Sequence, residues 1–346
     1  MDNNKWYLSE GAELDVAVST RVRLARNISG TPFPGRMSAA QAVEICERCK
    51  AAAQSLPDSL PPLDFFMMDS MDDSTRLMLV ERHVISPDFA NGTEGKALLL
   101  SRDESISIMV GEEDHLRIQV MRPGLDLEGA HQIAEQLDTL LIAALPIAFD
   151  EQLGFLTACP TNLGTGLRAS VMLHLPALEQ TKGIAMLTAA VSKIGLTLRG
   201  SYGEGSRPRA GLYQLSNQVT LGLSEADAIK NLSAVTGQVL AKERRARQDM
   251  PSLLLEDSVF RALGLLQNAR VLSGEEFSNE ISRVRLGLSM GIIEGAPVTL
   301  PQISELIHMA GAACIIKAAG RPLEAPERDQ LRAAMVRQSL NKSTTE

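Results

Sequence analysis

Residues 14–29, LDVAVSTRVRLARNIS, begin as alternating positions and become basic, so they read as an extended segment. SAAQAVEICERCKAAAQSL at 38–56 is alanine-rich and predicts a helix. KALLLSRDESISIMVGEEDHLRIQVM at 96–121 predicts three short strands, with turns at SRDES and GEEDH. GLDLEGAHQIAEQLDTLLIAAL at 124–145 has helical periodicity, and LPALEQTKGIAMLTAAVSKIG at 175–195 predicts a further helix with Pro176 near its start. Between these two lies TACPTNLGTGLRAS, 157–170, a glycine-rich turn carrying one cysteine and one arginine. It is not a P-loop, because the Gly-Lys-Ser/Thr ending is missing. LRGSYGEGSRPRAGLYQLSN, 198–217, reads either as a loop that closes over a ligand or as a long surface connection. A long helix is expected from Ser224 to 249, with Ser224 and Asp227 spaced as an N-cap and its partner.

From Pro251 onward apolar residues recur at helical spacing, through 253–272 and 276–293. Another helix is expected after Thr299 and Pro301, and a last one over 327–340. The expected fold is therefore α+β: an antiparallel sheet with surrounding helices over 14–250, followed by a small all-helical domain over 251–340. Helix 224–249 sits at the join and could pack against both.

A chain of 346 residues is long enough for two domains and a substantial core. Aromatic residues make up only 3%, so Leu, Ile, Val, Met and Ala must supply most of the packing. The formal charge of −8 weighs against a general nucleic-acid binder but allows a local arginine pocket. The polar start MDNNKWYLSE carries no apolar signal segment, and stretches such as LLIAALPIAF are too short to span a bilayer. A cytoplasmic location is the expectation. Four cysteines at this length make no disulfide framework. Cys46 and Cys49 form a lone CxxC on an expected helix, with no second ligand pair, so ordinary helix cysteines compete with a metal or redox role.

Arginines and carboxylates recur beside strand ends and glycine turns. Arg21 and Arg23 point the same way if their segment is extended. Arg117 stands near a strand start, Arg168 closes the glycine turn and Arg199 opens the glycine-rich segment. A guanidinium can grip two phosphate oxygens at once, so such groups from separate elements could hold a triphosphate without a P-loop. Spacing alone also fits five scattered surface charges. Glu112, Glu113, Asp114 and His115 read either as a solvated turn or as a strand-end carboxylate that orients a nucleophile and takes its proton. Glu204 could add a second carboxylate, leaving room between them for a cationic guanidinium.

STRVRLARN (19–27), ERHVISP (81–87), GEEDHLRIQ (111–119), CPTNLGTGLRASVMLHLPAL (159–178), RGSYGEGS (199–206) and SNQVTLGLSE (216–225) occur in an order that resembles the phosphagen kinases. Within that family the resemblance is closer to the bacterial protein-arginine kinases, and it covers roughly residues 14–250. It implies that Arg21, Arg23, Arg117, Arg168 and Arg199 bind nucleotide phosphates, with His83 near the nucleotide. It implies that Glu113 positions the guanidino nitrogen and assists proton removal, that Glu204 is the second guanidinium-binding carboxylate, and that Cys159 lies beside the substrate. ATP and Mg2+ are the implied cofactors, with no dedicated protein metal site.

Metabolic phosphagen kinases carry a helical domain before STRVR, whereas here the extra helical region follows the catalytic segment. Within it, PERDQLRAAMVRQSL resembles a segment that recognises phosphoarginine, placing Arg328, Asp329 and Arg332 in that role. Arg328 and Arg332 are spaced i,i+4 and share a helix face; a plain charged terminal helix has the same spacing. The resemblance further implies protein substrates bearing arginine, a zinc-containing activator protein, a Clp-type unfoldase–protease, a stress-gene repressor as substrate, and a possible homo-oligomer. It implies neither a direct nucleic-acid contact nor a membrane. Arg207, Pro208 and Arg209 depart from the pattern and bear on specificity and loop closure. The rival readings are a kinase of free guanidino metabolites and an inactive phosphoarginine-binding adaptor.

Overall fold

The computed structural model describes residues 5–57, 59–200, 211–295 and 298–341. The first half runs β1 (Ala17–Arg26), α1 (Ala39–Gln54), β2 (Leu63–Met67), α2 (Asp73–Glu81), α3 (Pro87–Ala90), β3 (Ala97–Ser101), β4 (Ile106–Val110), β5 (Leu116–Pro123) and α4 (Leu127–Ala144). A two-residue hairpin, β6 (Phe149–Asp150) and β7 (Gly154–Phe155), leads to β8 (Leu167–His174), α5 (Pro176–Gln180), α6 (Gly183–Ser192), β9 (Leu196–Gly200), β10 (Leu212–Asn217) and α7 (Glu225–Gln248). Five helices follow: α8 (Ser252–Asn268), α9 (Gly274–Ser289), α10 (Leu300–Met309), α11 (Ala312–Ala319) and α12 (Ala325–Leu340).

Eight strands form one antiparallel sheet in the order β2-β3-β4-β5-β1-β8-β10-β9. Side chains alternate across a strand, and β1 uses that period to separate two environments. Val22 and Leu24 are fully buried, whereas Arg21 and Arg23 between and beside them are partly open. Ile118 and Val120 of β5 and Leu167, Ala169, Val171 and Leu173 of β8 continue the apolar face, which α1, α4 and α7 cover. The opposite face is polar and cationic.

Arg26, on the apolar side, is the exception that proves chemically necessary. It is buried, its Nε and Nη2 bind both carboxylate oxygens of Asp138 on α4, and the Phe155 ring lies 3.5 Å from its guanidinium carbon. Glu225 at the start of α7 adds a second carboxylate at 3.2 Å. A buried charge tolerates this position only when paired this way.

A second apolar cluster is built from α8, α9, α10 and α12, around Val259, Leu266, Ile281, Val284, Ile303 and Val336. Among the described residues α7 joins the first cluster through Ala228, Leu232 and Val239. Its last turn is one of the places where the two regions meet: Arg247 binds Glu243, the Asp15 and His174 carbonyls and Ser289 of α9.

Several expectations change. Segment 175–195 is two helices, broken at Lys182, which takes a left-handed conformation at φ +58°. The Ala177 and Leu178 amides at the start of α5 are held by the Glu243 carboxylate of α7. The glycine-rich segment 198–217 begins and ends as paired strands, β9 and β10, and residues 201–210 lie outside the described ones. Cys46 and Cys49 are both fully buried on α1, which pushes their thiols up to about 11 and about 12, a setting for inert core cysteines.

Asp138→Ala leaves the buried Arg26 without its bidentate partner. It should lower stability by ~3–5 kcal/mol, read as a fall in the denaturant midpoint of the catalytic region.

Candidate active site

The polar face of the sheet forms one wall of a cavity of about 790 Å³, and α9, α10 and the start of α11 form the other. Strand register brings the arginines together. Arg23 of β1 stands opposite Arg168 of β8 and Gln119 of β5. Arg117 lies two residues before Gln119, and Arg21 stands opposite Ser170 and Met121. Arg199 of β9 is in register with Gln214 of β10, whose side-chain oxygen accepts from Arg21 Nη2 at 2.6 Å. Five guanidinium groups from four strands thus line one cavity.

Their electrostatics are those of a cluster of like charges. Burial, with Arg117 and Arg168 nearby, pushes Arg21 down to about 10. Burial and the same neighbours together with Arg21 hold Arg23 well below the ordinary arginine range, and burial with Arg199 and Arg117 lowers Arg168. All remain cationic at neutral pH. Arg23 and Arg168 each keep a buried Nε with no hydrogen-bond partner. Buried donors of this kind are rare, and here they face a site shaped for oxygen acceptors.

Arg117 has a carboxylate partner, Glu112, at 2.6 Å. Burial would raise the Glu112 carboxyl, but Arg117, the Ser86 hydroxyl at 2.5 Å and the Glu113 amide outweigh it and hold it ionised. Glu113, one residue on, is in the opposite condition. Burial and the adjacent Asp114 and Glu112 charges raise its carboxyl, while a hydrogen bond from Cys159 lowers it in part. Glu113 and Cys159 therefore meet at the end of the arginine row, with Cys159 Sγ also 3.1 Å from Thr161 Oγ1.

The Glu-Glu-Asp-His run is not a solvated turn. Asp114 and His115 are buried, and they brace the site. Asp114 accepts from the Asn27 side chain at 2.6 Å and from the Ala158 amide at 2.7 Å. Asn27 in turn accepts from the His115 amide at 2.9 Å, and His115 Nδ1 accepts from the Ile28 amide. One buried network thus ties the end of β1, the turn before β5 and the residue preceding Cys159. Sequence reading missed Glu112, Asp114, His115, Asn27 and Gln214 in these supporting roles.

Between Cys159 and Arg168 the chain turns through Gly164 and Gly166, at φ +108° and +65°. A side chain at Gly164 would collide with the Thr220 carbonyl, and one at Gly166 with the Ala25 carbonyl and the Arg26 guanidinium. These glycines allow a close backbone crossing. His83 also has a left-handed backbone, φ +59°, steadied by Gln119 donating to its carbonyl at 2.9 Å, and it lines the cavity near Arg21. Burial, Arg21 and His308 push its imidazole down to about 3, so the ring is neutral.

Glu204 and the Arg207-Pro208-Arg209 stretch lie outside the described residues. Arg328, Asp329 and Arg332 sit on α12, and of the three Arg332 lines the same cavity as the arginine row. Arg332 is buried, donates to the Ala310 and Leu272 carbonyls and pairs with Asp329 at 2.6 Å. Arg328 donates to the Leu323 carbonyl. Among the described residues no group of three or more His, Cys, Asp or Glu side chains could hold a metal ion, and no helix is long and apolar enough to cross a membrane.

The class of protein is an ATP-dependent guanido phosphotransferase: residues 44–246, which carry Arg117, Arg168 and Arg199 of this cavity with its carboxylate and thiol, match the ATP:guanido phosphotransferase C-terminal catalytic domain. Residues 252–346 match the protein-arginine kinase McsB C-terminal domain. The protein-arginine kinase of Halothermothrix orenii is 44% identical over 97% of this chain and 96% of its own length. That of Pelotomaculum thermopropionicum is 42% identical over 98% and 96%. The chain belongs to the protein-arginine kinase family. Among solved structures, the duplicated taurocyamine kinase from Schistosoma mansoni with bound transition state analog components shares the fold, with a TM-score of 0.62 at 24% identity, covering 75% of this chain and 40% of that one. Lombricine kinase has a TM-score of 0.59 at 22% identity, covering 67% of each chain.

Arg23→Ala removes a charge-assisted phosphate donor. Inorganic tripolyphosphate should bind ~10- to 100-fold more weakly to this variant by calorimetry, and unchanged affinity would show that Arg23 does not hold phosphate.

Proposed function

We propose that this chain transfers the γ-phosphoryl group of ATP to arginine side chains of proteins. The observation that carries the reading is the convergence of Arg21, Arg23, Arg117, Arg168 and Arg199 on a single cavity that ends at Glu113 and Cys159. Phosphoryl transfer depends mainly on alignment and on stabilising charge over the transferring oxygens. The five guanidinium groups supply both. Arg117 is oriented for this by Glu112, and Arg21 by Gln214. Mg2+ would travel on the phosphate oxygens, a hard cation suited to them, and add Lewis-acid charge stabilisation.

The acceptor arginine is the difficult partner, because its guanidinium keeps its proton near neutrality. Glu113 orients that group and takes the proton as the nitrogen–phosphorus bond forms. Cys159 stands beside it, where a thiolate would favour a cationic guanidinium, and Glu204 holds the other side. On α12, Arg328, Asp329 and Arg332 would recognise phosphoarginine. The surrounding biology follows as a proposal: a cytoplasmic enzyme, a zinc-containing activator, a stress-gene repressor among the substrates, delivery to a Clp-type unfoldase–protease, and self-association.

A raised Glu113 carboxyl has a kinetic consequence. The base must be ionised, so kcat/KM falls as pH drops through a pKa above the ordinary value near 4.5. Glu113→Gln should abolish that acid limb and lower kcat by ~10²- to 10⁴-fold, with ATP affinity nearly retained.

Incubation with Mg-ATP and either an unfolded arginine-rich protein or free arginine tests the substrate class. Phosphorus NMR and nonacidic mass spectrometry should find an acid-labile phosphoramidate on the protein. Product on free arginine alone would make the enzyme a metabolite kinase, and binding without turnover would make it an adaptor.

A further inference from the structure

The cavity changes chemistry along β1. At one end are Glu113 and Cys159, beside Arg23, Arg117 and Arg168. Arg21 lies two residues back along the strand, and Ser19 two further, so this wall runs roughly 14 Å at ~3.4 Å per residue. Opposite Arg21 on β5 stands Met121, and Met121 packs against Trp6 and Tyr7 of the short helical turn Trp6–Leu8. Here the lining becomes aromatic and apolar: Trp6, His83, Ile85, Ile307 and His308.

Ile307 and His308 belong to α10, not to the catalytic region. His308 stacks on Tyr7 at 4.4 Å and 11°, and meets Trp6 edge-on at 5.6 Å. Its Nδ1 lies 2.8 Å from the Ser304 carbonyl, so Nδ1 carries the proton of a neutral ring. Burial lowers its basicity further, so the His308 ring adds no charge to this end of the cleft.

The wall is fixed in place. Glu81, at the end of the helix that leads to His83, accepts the Ala313 and Cys314 amides at the start of α11. Arg82 reaches Met309 at 3.2 Å, and Lys317 pairs with Asp72. From the other side Arg332 holds the Ala310 carbonyl, two residues beyond His308.

The order along the cavity is carboxylate and thiol, then cations, then neutral aromatic and aliphatic side chains. An ATP with its γ-phosphate at the Glu113 end places its base at the aromatic end, where flat uncharged surfaces favour a purine. We propose that Trp6 and α10, through Ile307 and His308, form the wall facing His83 at the nucleobase end of the ATP site. The C-terminal helical region is thereby part of the nucleotide site, and α10 sets nucleotide affinity. This rests on the kinase reading above.

Trp6 is the sole tryptophan of the chain and so reports on this wall by itself. Full-length protein is titrated with Mg-ATP and, separately, with inorganic tripolyphosphate, following Trp6 emission and heat. Both ligands should bind and compete, but only ATP should change the emission. In Ile307→Ala, KM for ATP should rise about tenfold, with kcat at saturating ATP and the tripolyphosphate affinity retained. Equal emission changes with both ligands would point to domain movement and overturn the proposal. Silent emission together with an unchanged KM in Ile307→Ala would also overturn it while leaving the kinase reading standing. Failure of ATP to bind or to compete with tripolyphosphate would remove the kinase reading itself, and this inference with it.

Discussion

Mutual repulsion among guanidinium groups on one face of an antiparallel sheet is the constraint around which this molecule is organised. Burial first, and the neighbouring arginines after it, lower the basicity of Arg21, Arg23 and Arg168. On that face Gln214, beside Arg21, and Glu112, beside Arg117, offset the repulsion in part. The opposite face holds the row together, because the alternating residues of the same strands are committed to an apolar core under α4 and α7. Hydrophobic burial on one side fixes charges on the other that would otherwise separate. A polyanion relieves the repulsion, so ligand binding and stability of the sheet are linked.

The acceptor end follows a different rule. Glu113 keeps a raised carboxyl, while its immediate neighbours take the structural contacts. Glu112 is spent on Arg117 and Ser86; Asp114 is spent on Asn27 and Ala158. Three consecutive acidic residues therefore have three separate tasks, distinguished by which donors surround each. The same division appears in β1, where Arg21 and Arg23 face the cavity while Arg26 is sealed against Asp138.

Much of this was legible in the chain itself. Alternation around Arg21 and Arg23, three short strands over 96–121 and the helical character after residue 251 all follow from local periodicity, and they appear in the fold. The ordered motifs placed Arg117, Arg168, Arg199 and Glu113 in one site before any contact was known, and the structure brings these residues to one cavity. What stayed hidden depends on long-range pairing. No local pattern joins Asn27 to Asp114 across 87 positions, or Gln214 to Arg21 across 193. Equally invisible was the hold of Glu243, on a distant helix, on the start of α5. The aromatic wall around His308 needs three segments that only folding brings together.

The two-residue period of β1 also sets which genetic changes the protein can survive. Substitution of an individual side chain alters a single position. Deletion or insertion of one codon within residues 17–26 would rotate every following side chain to the other face, driving arginines into the hydrocarbon core and Val22 or Leu24 into the phosphate cradle. From Ser19 onward the strand pairs in unbroken register on both sides, with β5 and β8, and the one shift against β8 lies before it, between Ala17 and Ser19. Its sequence is free to drift in places, but its length is not.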